Sequence, residues 1–359
     1  MKSKISTTAL ALALIVLASC SRGYETFTGY AQGGTYSVKA NLKGVKISSE
    51  KIGKTIDSLL VTIDSTLSGY NKASQLSRFN AGETLRPGKL FIETYDKAAE
   101  LWRETGGGLD CAGGPLFDAW GFGFTADSLP SDKVVDSLLN TCGMKRLRPR
   151  MEDALGPDGS LSPKDLLLPR YEGGSLPELN FNAIAQGLSC DVIASYLYSL
   201  GVKDMLVDIG EIFCDGLNPQ GRPWTIGVDK PFDGNETPGK DLEGIWRSSG
   251  GPSGIVTSGN YRKFYVRDGK KFAHTIDPRT GRPVSHSLLS ATIVAPDALT
   301  ADAMATYCMV IGLDSAKAFI DSRDDLEAWL IYSGKAEGEL IPEADTTMKT
   351  WASSGFINQ

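Results

Sequence analysis

The 359-residue chain is 41% hydrophobic and 22% charged, the composition of an ordinary globular protein. Its net charge of −6, with no basic run, excludes nucleic acid as a partner, because phosphates demand grouped Lys and Arg. Only two histidines are present, which excludes H-E-x-x-H and three-histidine zinc sites, so a metal here would rest on oxygen ligands.

The chain opens "MKSKISTTALALALIVLASC". Lys2 and Lys4 give a positive start, an apolar run spans 9–17, and small residues lead to Cys20. This is a secretory signal, shorter than the ~20 apolar residues of a membrane span. Leu17-Ala18-Ser19-Cys20 has the form of a lipobox, in which cleavage leaves Cys20 as an acylated N-terminus; ordinary cleavage beside an incidental cysteine is the alternative. The lipobox reading divides the chain into a signal (1–19), a lipidated tether (20–23), one large domain or two intimately joined halves (24–340), and a tail (341–359). It places the mature protein outside the cytoplasm, tethered to a bacterial membrane by lipid. The other five cysteines are widely spaced without C-x-x-C, and buried free thiols are expected.

"GGTYSVKANL" alternates as a strand, and a helix is expected over 51–67, with Ile52, Ile56, Leu59, Leu60, Ile63 and Leu67 as its stripe. A second helix is expected over 90–104, with Ile92, Tyr95, Ala99 and Trp102 inward. "GGGLDCAGGPLFDAWGFGF" is too rich in glycine for a regular helix or long strand. Residues 125–175 read as loops around a short helix. From Asn180 a helix is expected, stopped at Gly201. "DMLVDIGEI" and "WTIGVDK" read as strands, and residues 251–278 as a hairpin about an Asp-Gly turn. The strand "SATIVAP", a helix from about Ala301, a further amphipathic helix and a last strand "EAWLIYS" complete the pattern. Without regular βαβ alternation, the fold class is α+β, with antiparallel or mixed sheets packed against helices.

Three constellations can carry chemistry. In "TADAMAT", Thr300 caps a helix from Ala301, and Asp302 and Thr306 then share a face, suiting a hard cation such as Mg²⁺. The same residues also suit a dipole-favoured Asp and a back-bonding Thr. The glycine runs at 106–114 and 248–254 match neither phosphate-binding signature and read as loops. "HTIDPRTGRPVSH" holds both histidines. His274 shares a strand face with Phe272 and Ile276, where it is either a general base or a core-edge residue. His286 reads as a surface residue, so the two do not form a metal pair.

The element H-x-I-D-P-x-T-G-x-P at 274–283 and the A-D-x-x-A-T helix start at 301–306 resemble the ApbE family of bacterial FAD:protein FMN transferases. "GGTYSVK", "SGYNKASQLSRFN", "LDCAGGPLFDAWGFG", "FNAIAQGLSCDVIASYL" and "SGNYRKFY" recur in that family's order, so the resemblance spans about 24–333. It implies a T-fold-related domain and a Mg²⁺-dependent reaction: FAD is cleaved, AMP leaves, and FMN is joined through its phosphate to a Thr or Ser hydroxyl. The implied acceptors are subunits of membrane redox complexes or extracytoplasmic flavoproteins with a short D-G-x-x-S/T-G-A-T-type motif.

By motif, the resemblance assigns the metal to Asp302 and Thr306 with the backbones of Ala183 and Ala305, and the catalytic base to His274. FAD contacts are assigned to Gly33, Tyr70, Gly108, Leu109, Asp110, Asn180, Gln186 and Ile276. Five positions depart from the family pattern. Gly33 stands where Met is usual, Asn180 where an acid is usual, Asn182 and Ala183 where glycines are usual, and Gln186 where lysine is usual, which removes a charge from the phosphate site. A Mg²⁺-dependent FAD pyrophosphatase and a non-catalytic flavin-binding lipoprotein are the competing readings.

Overall fold

The computed structural model describes residues 23–122, 129–171, 175–235, 237, 239–261, 264–267, 270–335, 339–342 and 345–357. The signal segment and Cys20 lie outside them, as does the Asp-Gly turn at 268–269. Among the described residues, no helix is long and apolar enough to cross a membrane.

β1 (Tyr24–Ala31) and β2 (Gly34–Asn41) form a hairpin closed by Gln32 and Gly33, both left-handed at φ 52° and 82°. Two such residues in succession make the turn that matches strand twist, so the backbone itself accounts for a glycine at 33. α1 (Ser49–Leu67) is capped by Ser48 and buries Ile52, Ile56, Leu60, Ile63 and Leu67, while Leu59 is only half-buried. α2 (Gln75–Asn80) is capped by Ser74. α3 (Lys89–Glu104) buries Phe91, Tyr95, Ala98, Ala99 and Leu101. Its apolar stripe is thus rotated from the expected one, leaving Ile92 and Trp102 half-buried.

The glycine-rich segment contains a short helix after all, α4 (Gly114–Ala119), with Pro115 in its first turn. Proline there loses no hydrogen bond and pre-sets the helical backbone. α5 (Asp132–Thr141) is the longer of two short helices in the loop region, the other spanning Pro163–Leu166. α6 (Ala185–Ser199) starts five residues later than Asn180 and ends before Gly201, at φ 83°.

The segment expected as one strand at "DMLVDIGEI" is two, β3 (Met205–Asp208) and β4 (Ile212–Asp215), folded about Gly210 at φ 91°. β5 (Thr225–Asp229) and β6 (Leu242–Arg247) pair with each other. β7 (Ser253–Gly259) is followed by the hairpin of β8 (Phe264–Arg267) and β9 (Lys270–Ala273). β10 (Ile276–Asp277) then pairs with β11 (Arg282–Pro283). β12 (Leu288–Ala295) is buried along its whole length and leads into α7 (Ala298–Ile311) and α8 (Leu313–Asp321).

β13 (Glu327–Tyr332) is joined by β14 (Lys349–Ala352), an edge strand in the C-terminal segment that the short, polar "KTWA" did not announce. The main sheet is antiparallel, in the order β1-β2-β3-β4-β7-β12-β13-β14. This is the α+β class expected. α6 and α7 pack against each other and the sheet, and α1 packs on α6, so α6 and α7 are apolar on most sides. All five cysteines of the described residues are buried and free.

Register gives the sheet two distinct ends. The β1–β2 turn, the β3–β4 turn at 209–211 and the C-terminal end of β7 lie at one end. Gly23 and the segments 42–46, 201–204 and 216–223 lie at the other.

Candidate active site

The site begins where β12 hands over to α7. Asp297 caps that helix by accepting from Thr300 N at 2.7 Å, so the helix starts at Ala298. Thr300, expected as the cap of a helix from Ala301, therefore lies in the first turn. Asp302 falls beyond that turn, where the dipole gives it little.

Asp302 is instead a buried carboxylate, 5% exposed, whose Oδ2 accepts from Gly187 N at 3.0 Å in the first turn of α6. Burial pushes its pKa up to about 8, Gly187 lowers it, and neighbouring Asp191 raises it. Thr306 follows one turn later, its hydroxyl 3.4 Å from Ser258 Oγ on β7.

The two helices exchange carboxylates. Asp191 of α6 accepts from Ala298 N at 2.9 Å and Leu299 N at 2.8 Å, the first donors of α7, while Asp302 of α7 serves the N-terminus of α6. Burial pushes Asp191 up to about 7. The exchange requires a close approach: a Cβ on Gly187 would stand 2.3 Å from Ala298 O. Sequence reasoning missed Asp191 because its partner lies 107 positions away.

The opposite wall carries His274, in the bend between β9 and β10, edge-on to Phe122 at 6.4 Å between ring centroids. The following turn is tightly built. Asp277 accepts from Arg279 Nε and Nη2, each at 2.9 Å, Gly281 N donates to Asp277 O at 2.8 Å, and Trp120 Nε1 donates to Gly281 O at 2.7 Å. Ile276 is buried against α4 and α5 in a cluster with Leu116, Trp120 and Val135.

Between these walls lies a cleft of about 350 Å³, a size usual for small-molecule sites. It gathers Tyr70, Gly108, Leu109, Asp110, Asn180 and Gln186 with Ala183, His274, Ile276, Asp302 and Thr306. Tyr70 is 67% exposed at the mouth. Asp110 accepts from Ala112 N at 2.8 Å and Met144 N at 3.0 Å, so it organises the loop as well as facing the cleft, and burial raises its pKa. A Cβ on Gly108 would meet Tyr307 at 2.4 Å, which explains that glycine.

Two assigned residues stand apart. Gly33 turns the β1–β2 hairpin and Ala305 is fully buried, and neither lines the cleft. Phe117, Phe122, Ser258 and Tyr261 line it and stand in strings that carry the resemblance, yet were not singled out as site residues; Glu211 lines it from a segment that read simply as strand.

Residues 33–330 match the model of the ApbE family. The chain belongs to the ApbE family. It is 32% identical over 353 residues to the FAD:protein FMN transferase of Vibrio cholerae, covering 96% of this chain and 95% of that one. It is 30% identical to the Escherichia coli K12 FAD:protein FMN transferase, covering 89% and 84%. The solved flavin transferase ApbE from Vibrio cholerae superposes with a TM-score of 0.72 at 29% identity, over 93% of this chain and 98% of that one. The apo form of Pseudomonas stutzeri flavinyl transferase ApbE gives 0.76 at 26%, over 95% and 98%.

Two features of this ApbE-family chain bear on a metal. No three His, Cys, Asp or Glu side chains cluster as a metal site among the described residues, so an all-protein cage is not what the site offers. One buried carboxylate with a hydroxyl beside it in an open cleft suits Mg²⁺, which keeps waters and takes substrate phosphate oxygens. The residues present fit that ion.

His286 is not the surface residue expected. It is half-buried, and its Nε2 lies 2.8 Å from Met309 O in the last turn of α7, a contact that requires the proton on Nε2. The two histidines thus serve one site from different positions: His274 faces the cleft, and His286 pins the far end of the helix carrying Asp302.

Proposed function

We propose that the chain is a Mg²⁺-dependent FAD:protein FMN transferase acting outside the cytoplasm. It cleaves the FAD pyrophosphate, releases AMP, and joins FMN through a phosphoester to a Thr or Ser hydroxyl of an extracytoplasmic flavoprotein acceptor. The observation that carries this reading is one cleft with a buried carboxylate–hydroxyl pair on one wall and a histidine on the other.

Asp302 and Thr306 would hold Mg²⁺, with the backbone of Ala183 also on the cleft wall. Mg²⁺ bound there supplies neutralisation of pyrophosphate charge. Tyr70 offers a ring face at the mouth, and the amide of Gln186, whose Nε2 donates to Ile209 O at 3.3 Å, offers polar contact without charge. His274 takes the acceptor hydroxyl's proton as the acceptor O–P bond forms and the P–O bond to AMP breaks. Phe122 borders the histidine and limits water at that point, and Phe117 lines the same cleft.

Gln186 favours a second reading, hydrolysis of FAD to FMN and AMP, because a neutral amide holds the pyrophosphate less firmly than a lysine. Incubation with FAD, Mg²⁺ and an acceptor domain, followed by a denaturing gel, separates the readings. In-gel flavin fluorescence on the acceptor supports transfer. AMP release without labelling supports hydrolysis, and bound FAD without AMP would sink both.

A further inference from the structure

The N-terminus and the cleft lie at opposite ends of the main sheet. Gly23 O accepts from Leu42 N at 3.1 Å, and the Tyr24 hydroxyl donates to Leu217 O, so the chain start is fixed among the segments 42–46, 201–204 and 216–223. The cleft opens toward the opposite end of the sheet, beside Glu211 of the β3–β4 turn and the C-terminal end of β7. β1 alone is eight residues long, or about 27 Å.

Charge is distributed the same way. Lys43, Lys46, Lys203 and Arg222, far apart in sequence, are all exposed at the chain-start end, in a protein of net charge −6. None of the four has an ion-pair partner among the described residues. Asp204, the carboxylate in their midst, has its oxygens bonded to Asn41 Nδ2 at 2.9 Å and Leu217 N at 3.0 Å. Leu217 is 41% exposed beside them. Carboxylates at this end are engaged or set apart: Asp215 accepts from the Tyr198 hydroxyl at 2.7 Å and Gly216 N at 2.8 Å, Asp297 caps α7, and Asp324 and Asp325 lie at the β13 corner.

We propose that the basic end of the sheet, carrying Lys43, Lys46, Lys203, Arg222 and Leu217, rests on the anionic headgroups of the bilayer that holds the Cys20 lipid, with the cleft held away from the membrane. The occupant follows from the chain itself. Cys20 precedes Gly23 by three residues, which span at most about 11 Å. A lipid on Cys20 therefore brings the bilayer to this end and to no other. Clustered Lys and Arg are drawn to anionic headgroups, and an exposed leucine can enter the interface. The cleft then faces acceptors roughly a strand length above the surface. This inference rests on the lipobox reading and is independent of whether transfer or hydrolysis occurs in the cleft.

The test uses full-length acylated protein in vesicles of phosphatidylethanolamine and phosphatidylglycerol. A dye is placed at Lys203→Cys or, at the cleft end, Thr35→Cys; the five other native thiols of the mature chain are buried. Energy transfer to a headgroup-labelled lipid should be strong from position 203 and several-fold weaker from position 35. Equal or reversed efficiencies would overturn the orientation. With the dye moved to Gln220→Cys, charge reversal of Lys43, Lys46, Lys203 and Arg222 together should lower the energy transfer several-fold relative to Gln220→Cys alone, while flavin transfer to a soluble acceptor stays unchanged. Energy transfer from position 220 that the reversal leaves unchanged would remove the headgroup contact. Mass spectrometry of the N-terminal peptide decides the anchor separately, and an unacylated Cys20 in membrane-isolated protein would sink the reading on which the proposal stands.

Discussion

Asp302 is the residue whose surroundings make the sharpest demand. A carboxylate 5% exposed, with its Oδ2 bonded to a backbone N–H, is costly to ionise, and a bound cation would offset that cost. Asp302→Ala should abolish Mg²⁺-dependent turnover and Mg²⁺ binding by titration calorimetry together; retained binding would move the metal elsewhere. His274→Ala should slow transfer by about 10²–10⁴-fold, the usual range for a lost general base, with FAD still bound. Unchanged transfer in that variant would mean that another group takes the proton. His286→Ala should leave FAD affinity intact yet cost about 1 kcal/mol, the worth of a hydrogen bond, visible as a lower melting temperature.

At the scale of elements, α6 and α7 behave as one unit, because each gives the other's N-terminus a carboxylate. Asp191→Ala strips two donors of α7 of their acceptor and should cost about 1–2 kcal/mol. It should also weaken Mg²⁺ binding about ten-fold, as losing the support of a ligand usually does. A core variant of similar melting temperature, such as Leu60→Ala in α1, should leave Mg²⁺ affinity untouched; equal weakening in both would reduce Asp191 to a merely stabilising role.

This level also shows what a sequence conceals. The stripe of α1 and the stop at Gly201 are local patterns, and they were legible. The motif residues of the cleft were legible through resemblance, since 183, 186, 274, 276, 302 and 306 stand in recognisable short strings. Contacts between distant segments were not. Asp191 looks like any polar residue on a helix until Ala298 is beside it, and His286 looks like loop until Met309 is found above it. Thr300 misled for a different reason: Asp297 competes for the cap one turn earlier, and the nearer acceptor set the helix start.

Over the whole molecule, the buried carboxylates couple stability to pH with a definite sign. Asp191 and Asp302 are pushed up to about 7 and about 8, and burial raises Asp110 and Asp208 as well. In the unfolded chain such groups titrate near about 3.9. Between that value and their folded pKa, the folded protein holds more protons than the unfolded one, so stability falls as pH rises. The metal-free protein should therefore melt higher at about pH 5 than at about pH 8. On the proposed reading, a Mg²⁺ ion at Asp302 would take the place of the proton there, so it would compete with protons and bind more tightly as pH rises. The increase in melting temperature on adding saturating Mg²⁺ should accordingly grow from about pH 5 to about pH 8, and should vanish at both in Asp302→Ala. Scanning calorimetry with and without Mg²⁺ measures this directly. An increase that is the same at both pH values would show that the buried carboxylate and the ion do not share a site, and the cleft would then need a different source of charge for cleaving a pyrophosphate.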